Sequence, residues 1–171
     1  MYGILFVESI YLQNALSLGP FTAGAVLTPF TLFPTIVSRL LSSRNGPRYL
    51  RPRISLGFAI AAIGSATLVA TSFVPTLWLI AAGLGILGAT MGSIMPAMTV
   101  GVLTSSDPKH SGLASGLLNA SRQVGGTVGV ALLGTIMQSF SLATGFACAT
   151  GLTVVVLLVG ANISGRLLPR K

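Results

Sequence analysis

Apolar residues dominate five long stretches of the chain, at about 21–41, 54–73, 77–103, 112–138 and 143–163, and a shorter one at about 1–16. Each long stretch holds enough residues to cross roughly 30 Å of hydrocarbon as a helix. The connections between them are short, so the pattern predicts a single all-α unit, a polytopic transmembrane bundle of about six spans. Pro29 and Pro34 fall inside the second span and Pro96 inside the fourth. A spanning helix tolerates proline where neighbouring helices re-satisfy the freed carbonyl, and Pro96 is expected to kink its helix.

Composition supports the same medium. Only 7% of the 171 residues are charged and 52% are apolar, with a mean hydropathy of +0.87. A water-soluble domain carries roughly a quarter of its residues as charges. The outer surface of this one therefore faces lipid, and the chain is not expected to persist as a soluble domain. A net charge of +8 would suggest nucleic acid in a soluble protein. Here the positions of the charges exclude that partner and give orientation instead. Arg39, Arg44, Arg48, Arg51 and Arg53 cluster at or in a basic loop at 42–53, Lys109 follows the fourth span, and Arg166, Arg170 and Lys171 lie in or beside a tail at 164–171. The connections near Leu18, Pro75 and Ser141 carry no lysine or arginine. All the basic residues except Arg122 thus fall on one side of six alternating crossings. By the positive-inside rule that side is the cytoplasm, with both termini facing it, in a plasma membrane of the bacterial inner-membrane kind. The start, Met1-Tyr2-Gly3-Ile4-Leu5-Phe6-Val7, has no basic lead-in or cleavage site of a secretory signal, and resembles a chain entering partway into a span.

Few residues are available for chemistry. Gly83-Leu84-Gly85-Ile86-Leu87-Gly88, with Asp107 downstream, matches a dinucleotide-binding glycine pattern. Pro96 within the supposed helix argues against it, and close helix packing is the better reading. Gly88/Gly92, Gly112/Gly116 and Gly125/Gly129 have the small-xxx-small spacing of such contacts. Arg122 lies roughly 15 Å along the fifth span, near the bilayer centre, where an arginine costs about 2.5–3.5 kcal/mol. It must face protein or a water-filled cavity, either as a substrate, gating or proton-coupling cation or as a group satisfied by carbonyls of the next helix. Asn119 and Gln123 make the same depth polar. Glu8 is the one acid inside a span. It is a candidate proton carrier or counter-charge for cations, with a carboxylate that only reaches water or only neutralises Arg122 as the plain alternatives. Ser106 or Asp107 is placed to cap the fifth helix, and Trp78 to anchor at the interface. His110 and Cys148 stand alone, so neither a metal site, a disulfide nor a catalytic constellation is expected, and no cofactor.

The fifth span, Gly112-Leu113-Ala114-Ser115-Gly116-Leu117-Leu118-Asn119-Ala120-Ser121-Arg122-Gln123-Val124-Gly125-Gly126-Thr127-Val128-Gly129-Val130-Ala131, resembles a stretch typical of the major facilitator superfamily. The likeness is to its fourteen-span drug:proton antiporter branch, of EmrB/QacA type. Tyr11-Leu12-Gln13, Ala23-Gly24 with Pro29, and Gly46-Pro47-Arg48 follow in the order and spacing of those proteins. The resemblance covers the C-terminal six spans and implies half of a major facilitator fold. It further implies export of amphipathic or cationic small molecules driven by a proton gradient, with spans 1, 2, 4 and 5 lining a cavity and spans 3 and 6 facing lipid. Ser42-Ser43 stand where the basic loop often carries an acid, which weakens any charge lock there. Because alternating access needs two bundles, the chain is expected to be a fragment, or a half that pairs with a missing N-terminal half or a second copy, and not to pump alone. A non-transporting membrane scaffold, associating through its glycine faces, is the alternative from another class.

Overall fold

A computed structural model describes residues 1–41 and 47–167, with side chains at all of these except 47, 48 and 167. Arg44, Arg170 and Lys171 therefore lie outside the described residues, as does the side chain of Arg48. Six α-helices occupy the described part: α1 (Tyr2–Asn14), α2 (Pro20–Leu40), α3 (Pro47–Thr71), α4 (Leu77–Ser105), α5 (Ser111–Ser139) and α6 (Leu142–Leu167). There is no strand among the described residues, so the chain is an all-α bundle.

Four of these helices are long and apolar enough to cross a membrane: Pro20–Leu40, Tyr49–Thr71, Leu77–Ser105 and Leu142–Arg166. The other two differ for separate reasons. The 13 residues of α1 extend only about 20 Å. The 29 residues of α5 are ample in length but include Asn119, Ser121, Arg122 and Gln123. The hydroxyls on α5 are largely spent on their own helix: Ser121 donates to the Leu117 carbonyl at 2.8 Å, Thr127 to Gln123 at 3.0 Å and Thr135 to Ala131 at 2.8 Å. Back-bonding of this kind lets a hydroxyl sit in an apolar setting without an unsatisfied donor.

At the centre is α4, which packs between α2 and α3, while α3 turns its other side to α6; α1 lies against α5 and α6. The glycine run of α4 explains how the backbones come so close. A Cβ at Gly83 would lie 3.0 Å from the Gly64 carbonyl oxygen of α3, whereas one at Gly88 would lie 2.6 Å from the Phe30 carbonyl oxygen of α2. A Cβ at Gly92 would collide with the backbone of Pro34. The run that imitates a nucleotide-binding motif thus serves helix contacts on two sides. Gly3 approaches the Gly129 carbonyl of α5 and Gly145 that of Met137 in the same manner, two contacts the spacing rule did not identify.

Two expectations need correction. First, the basic segment at 42–53 is not a loop throughout, because α3 begins at Pro47. Proline favours the first turn of a helix, and the arginines that follow bond the ends of neighbouring helices. Arg51 donates to the Gly165 carbonyl near the end of α6. Arg53 donates from Nη1 to the Leu41 carbonyl at 3.4 Å and from Nε to Ser93 Oγ at 3.1 Å. Terminal helix carbonyls lack intrahelical partners and attract cations. The tail likewise starts later than residue 164, since α6 continues to Leu167. Second, Gly112, Gly116 and Gly125 are not in close contact with another helix among the described residues: a Cβ at any of them would meet nothing within 4 Å. A Cβ at Gly129 would also be free, although its carbonyl is approached by Gly3. The reason is that α5 stands largely exposed from Ser111 to Leu132. Helix α4 continues through Pro96.

The core is closed by a few long-range polar bonds. Tyr11 stacks on Phe146 of α6 with ring centroids 4.0 Å apart, and its hydroxyl donates to the Thr71 carbonyl of α3 at 3.3 Å. Ser65 donates to the Thr150 carbonyl at 3.1 Å, tying α3 to α6. The outer faces carry Leu56, Ile60 and Ile63 of α3 and Val155, Val156, Val159 and Ile163 of α6, all exposed. Exposed apolar faces of this extent are a lipid contact surface. Trp78, 85% exposed, stands at the start of α4.

Candidate functional site

Arg122 projects from the middle of α5 onto α4. Its Nη2 donates to the Met95 carbonyl and to Thr99 Oγ1, both at 3.1 Å. Thr99 in turn donates to the Met95 carbonyl at 3.0 Å, so a hydroxyl and a carbonyl one turn apart together hold the guanidinium. The Nε of Arg122 is buried and has no acceptor among the described residues. Of the two readings open for this arginine, the carbonyl contact is present, and one donor is left over.

Beside it lies a cavity of about 180 Å³. Its α4 wall consists of Met91, Ile94, Met95 and Met98; Phe58 of α3 and Gly125 and Gly126 of α5 complete it with Met1 and Tyr2. Positions 91, 95 and 98 are spaced i, i+4 and i+7, one face of a helix. That methionine stripe and Thr99 escaped the sequence-level search, although the helical spacing of three methionines was a readable signal. Phe58 also shows that α3, expected to face lipid alone, contributes to the cavity. Gln123 does not reach this cavity and lines a shallower adjoining groove with Tyr2, Gly126 and Thr127. Asn119 is exposed on α5 away from both.

Glu8 is elsewhere. It is fully buried within the α1 face that includes Ile4, Val7, Tyr11 and Leu12, and neither carboxylate oxygen has a hydrogen-bond partner among the described residues. Pairing with Arg122, which the sequence left open, is not formed. Its setting also excludes simple contact with water. Asp107 accepts from the Lys109 amide at 2.9 Å and caps the 3-10 turn Pro108–His110 that leads into α5. Cys148 is exposed, and no group of three or more metal-ligating residues occurs among the described residues.

A helical bundle with exposed apolar outer faces and an arginine fixed at mid-helix beside a small apolar cavity has the form of a membrane protein. Comparison with known families agrees: the Major Facilitator Superfamily matches residues 1–170. The chain belongs to that superfamily. As a major facilitator chain it is a multi-pass membrane protein of a transporter family, not an enzyme, and a lipid bilayer surrounds it. It is similar to the methylenomycin A resistance protein of Streptomyces coelicolor, with 30% identity over 142 residues, 82% of this chain and 30% of that protein. The tetracenomycin C resistance and export protein of Streptomyces glaucescens is 34% identical over 143 residues, 80% of this chain and 26% of that protein. The multidrug resistance protein Stp of Mycobacterium tuberculosis is 28% identical over 144 residues, covering 84% and 27%. The chain thus spans between a quarter and a third of the length of the curated relatives it matches. No solved structure matches it.

Proposed function

We propose that the chain is the C-terminal six-helix half of a proton-coupled drug exporter of the fourteen-span branch, working with an N-terminal half. The observation that carries this reading is the state of α5. The helix is largely exposed from Ser111 to Leu132, with Asn119 and Gln123 facing outwards and Gly112 and Gly116 open. Amide side chains at mid-bilayer are costly against lipid and favourable against another helix, and open glycines are where a second backbone approaches. Most of α2 is equally uncovered, including Gly24, where a Cβ would also meet nothing. Two helices thus present docking faces, as a half of an alternating-access transporter requires. The names of the relatives, resistance and export proteins, support drugs as the cargo. Glu8, a buried acid with no donor among the described residues, suits proton coupling.

The test joins the chain to a matching N-terminal half and reconstitutes it in liposomes. Drug-dependent proton flux is expected from the joined protein and not from the chain alone. Arg122→Ala is expected to lower that flux about 100-fold, the scale of losing a group that takes part in proton transfer, with insertion intact. Full exchange by the chain alone would remove the half-transporter reading and favour a self-pairing copy. A joined protein that moves neither drug nor protons would favour the scaffold. Orientation is checked separately in a Cys148→Ser background. Cysteine introduced as Asn45→Cys should react with an impermeant maleimide only from the cytoplasm, and Thr76→Cys only from outside. Labelling of both from one side would overturn the assignment of cytoplasmic termini.

A further inference from the structure

We infer that the cavity beside Arg122 binds the acidic end of a lipophilic small molecule, an aromatic or alicyclic body bearing one carboxylate, rather than the lipophilic cation that the family resemblance suggests. This rests on the transport reading for its purpose, but its chemistry comes from the cavity. Among the described residues Arg122 is the one charged side chain lining it, in company with the Met1 amino group, and no acid does. Glu8 is buried away from that lining and Asp107 is committed to the turn before α5. A cation entering here would meet a guanidinium at low dielectric with nothing to neutralise it, whereas a carboxylate would meet its complement. The guanidinium is also held ready: the Met95 carbonyl and Thr99 Oγ1 fix its Nη2 on the α4 side, while the residue lines the cavity. A carboxylate in the cavity meets a cation already fixed in place.

The walls specify the rest of the molecule. Met91, Met95 and Met98 present three unbranched, polarisable side chains on one helix face, with Phe58 opposite. Thioethers adapt to differently shaped apolar bodies and favour contact with aromatic rings. The cavity volume of about 180 Å³ is below the roughly 300–1,000 Å³ typical of whole drug-sized sites. It therefore takes a ring system with its acid group and leaves a larger molecule protruding. A compact cavity of this size also fits a small acid better than a two-chain lipid.

The experiment places the full chain in phosphatidylcholine nanodiscs and measures equilibrium binding of radiolabelled 2-naphthoate and of the matched cation 2-naphthylmethylammonium. Naphthoate is expected to bind at least tenfold more tightly. Arg122→Gln should abolish that preference, and Arg122→Lys should retain part of it. Should Arg122→Gln fail to insert, Gly125→Leu decides the matter. Its side chain grows from a position where nothing lies within 4 Å, fills the cavity with Arg122 intact, and should reduce naphthoate binding at least tenfold. Equal binding of the two probes, preference for the cation, or undiminished binding to Gly125→Leu would each overturn the inference. Adding phosphatidylglycerol should leave naphthoate binding unchanged; displacement would give the anion site to a lipid headgroup instead. These measurements need no transport, so they fail independently of the liposome test.

Discussion

Gly88→Val is expected to detach α2 from α4 and destabilise the bundle by about 3 kcal/mol or more, the upper range for overpacking. The Cβ alone would sit 2.6 Å from the Phe30 carbonyl oxygen, 2.9 Å from its Cα and 3.0 Å from its carbonyl carbon. All three are backbone atoms, so no rotamer change relieves the collision. The helices must separate, and with them goes the neighbouring contact of Gly92 with Pro34. Gly116→Ala is the matched control. Nothing lies within 4 Å of its Cβ position, so the gain in helix propensity, at most about 1 kcal/mol, is the whole expected effect. Thermal denaturation of the detergent-solubilised chain measures both. Equal midpoints for Gly88→Val and the unaltered protein would show that α2 and α4 do not approach at this glycine.

For Glu8→Gln the expected result is loss of proton coupling with little change in stability. The carboxyl is fully buried with no hydrogen-bond partner among the described residues. An ionised carboxylate in such a place costs several kcal/mol, so this arrangement accommodates the protonated acid. A change that lets in water or a cation would let the proton leave. Glutamine has nearly the same shape and no proton to give. In the joined transporter, substrate-driven pH change should fall about 100-fold or more, the scale of losing a proton-transfer group. The unfolding free energy should change by no more than about 1 kcal/mol, because a buried amide without partners replaces a buried acid without partners. Undiminished coupling would show that Glu8 carries no proton in transport.

Much of the architecture was legible before any coordinates. Five apolar stretches longer than about 20 residues and a scarcity of charge leave a bundle in lipid as the workable arrangement, because every backbone amide must be satisfied within its own helix. Boundaries were less legible at the basic segment. Arginines are ordinarily placed in loops, and here Arg51 and Arg53 lie on α3 because their long side chains reach helix ends at Gly165 and Leu41. Glycine spacing was half informative. Gly88 and Gly92 repeat at four residues and both face α2, while Gly112 and Gly116 repeat at the same interval and meet nothing within 4 Å among the described residues. A spacing rule identifies a smooth helix face without saying what lies opposite.

The same division holds at the candidate site. Arg122 was conspicuous because an arginine at mid-helix depth is expensive wherever it points. That its nitrogen would be held by the Met95 carbonyl and Thr99, and that Met91, Met95 and Met98 would wall a cavity beside it, depended on how α4 is rotated about its axis. Glu8 was equally conspicuous, but its separation from Arg122 depended on which face α1 turns inwards. By itself, then, the sequence determined the medium, the helices and the two ionisable residues worth attention, since hydropathy and charge are properties of the residues alone. Only the tertiary structure decided partners, cavity and open faces. These depend on helix rotation and contact between residues far apart in the chain, which packing settles and local composition does not encode.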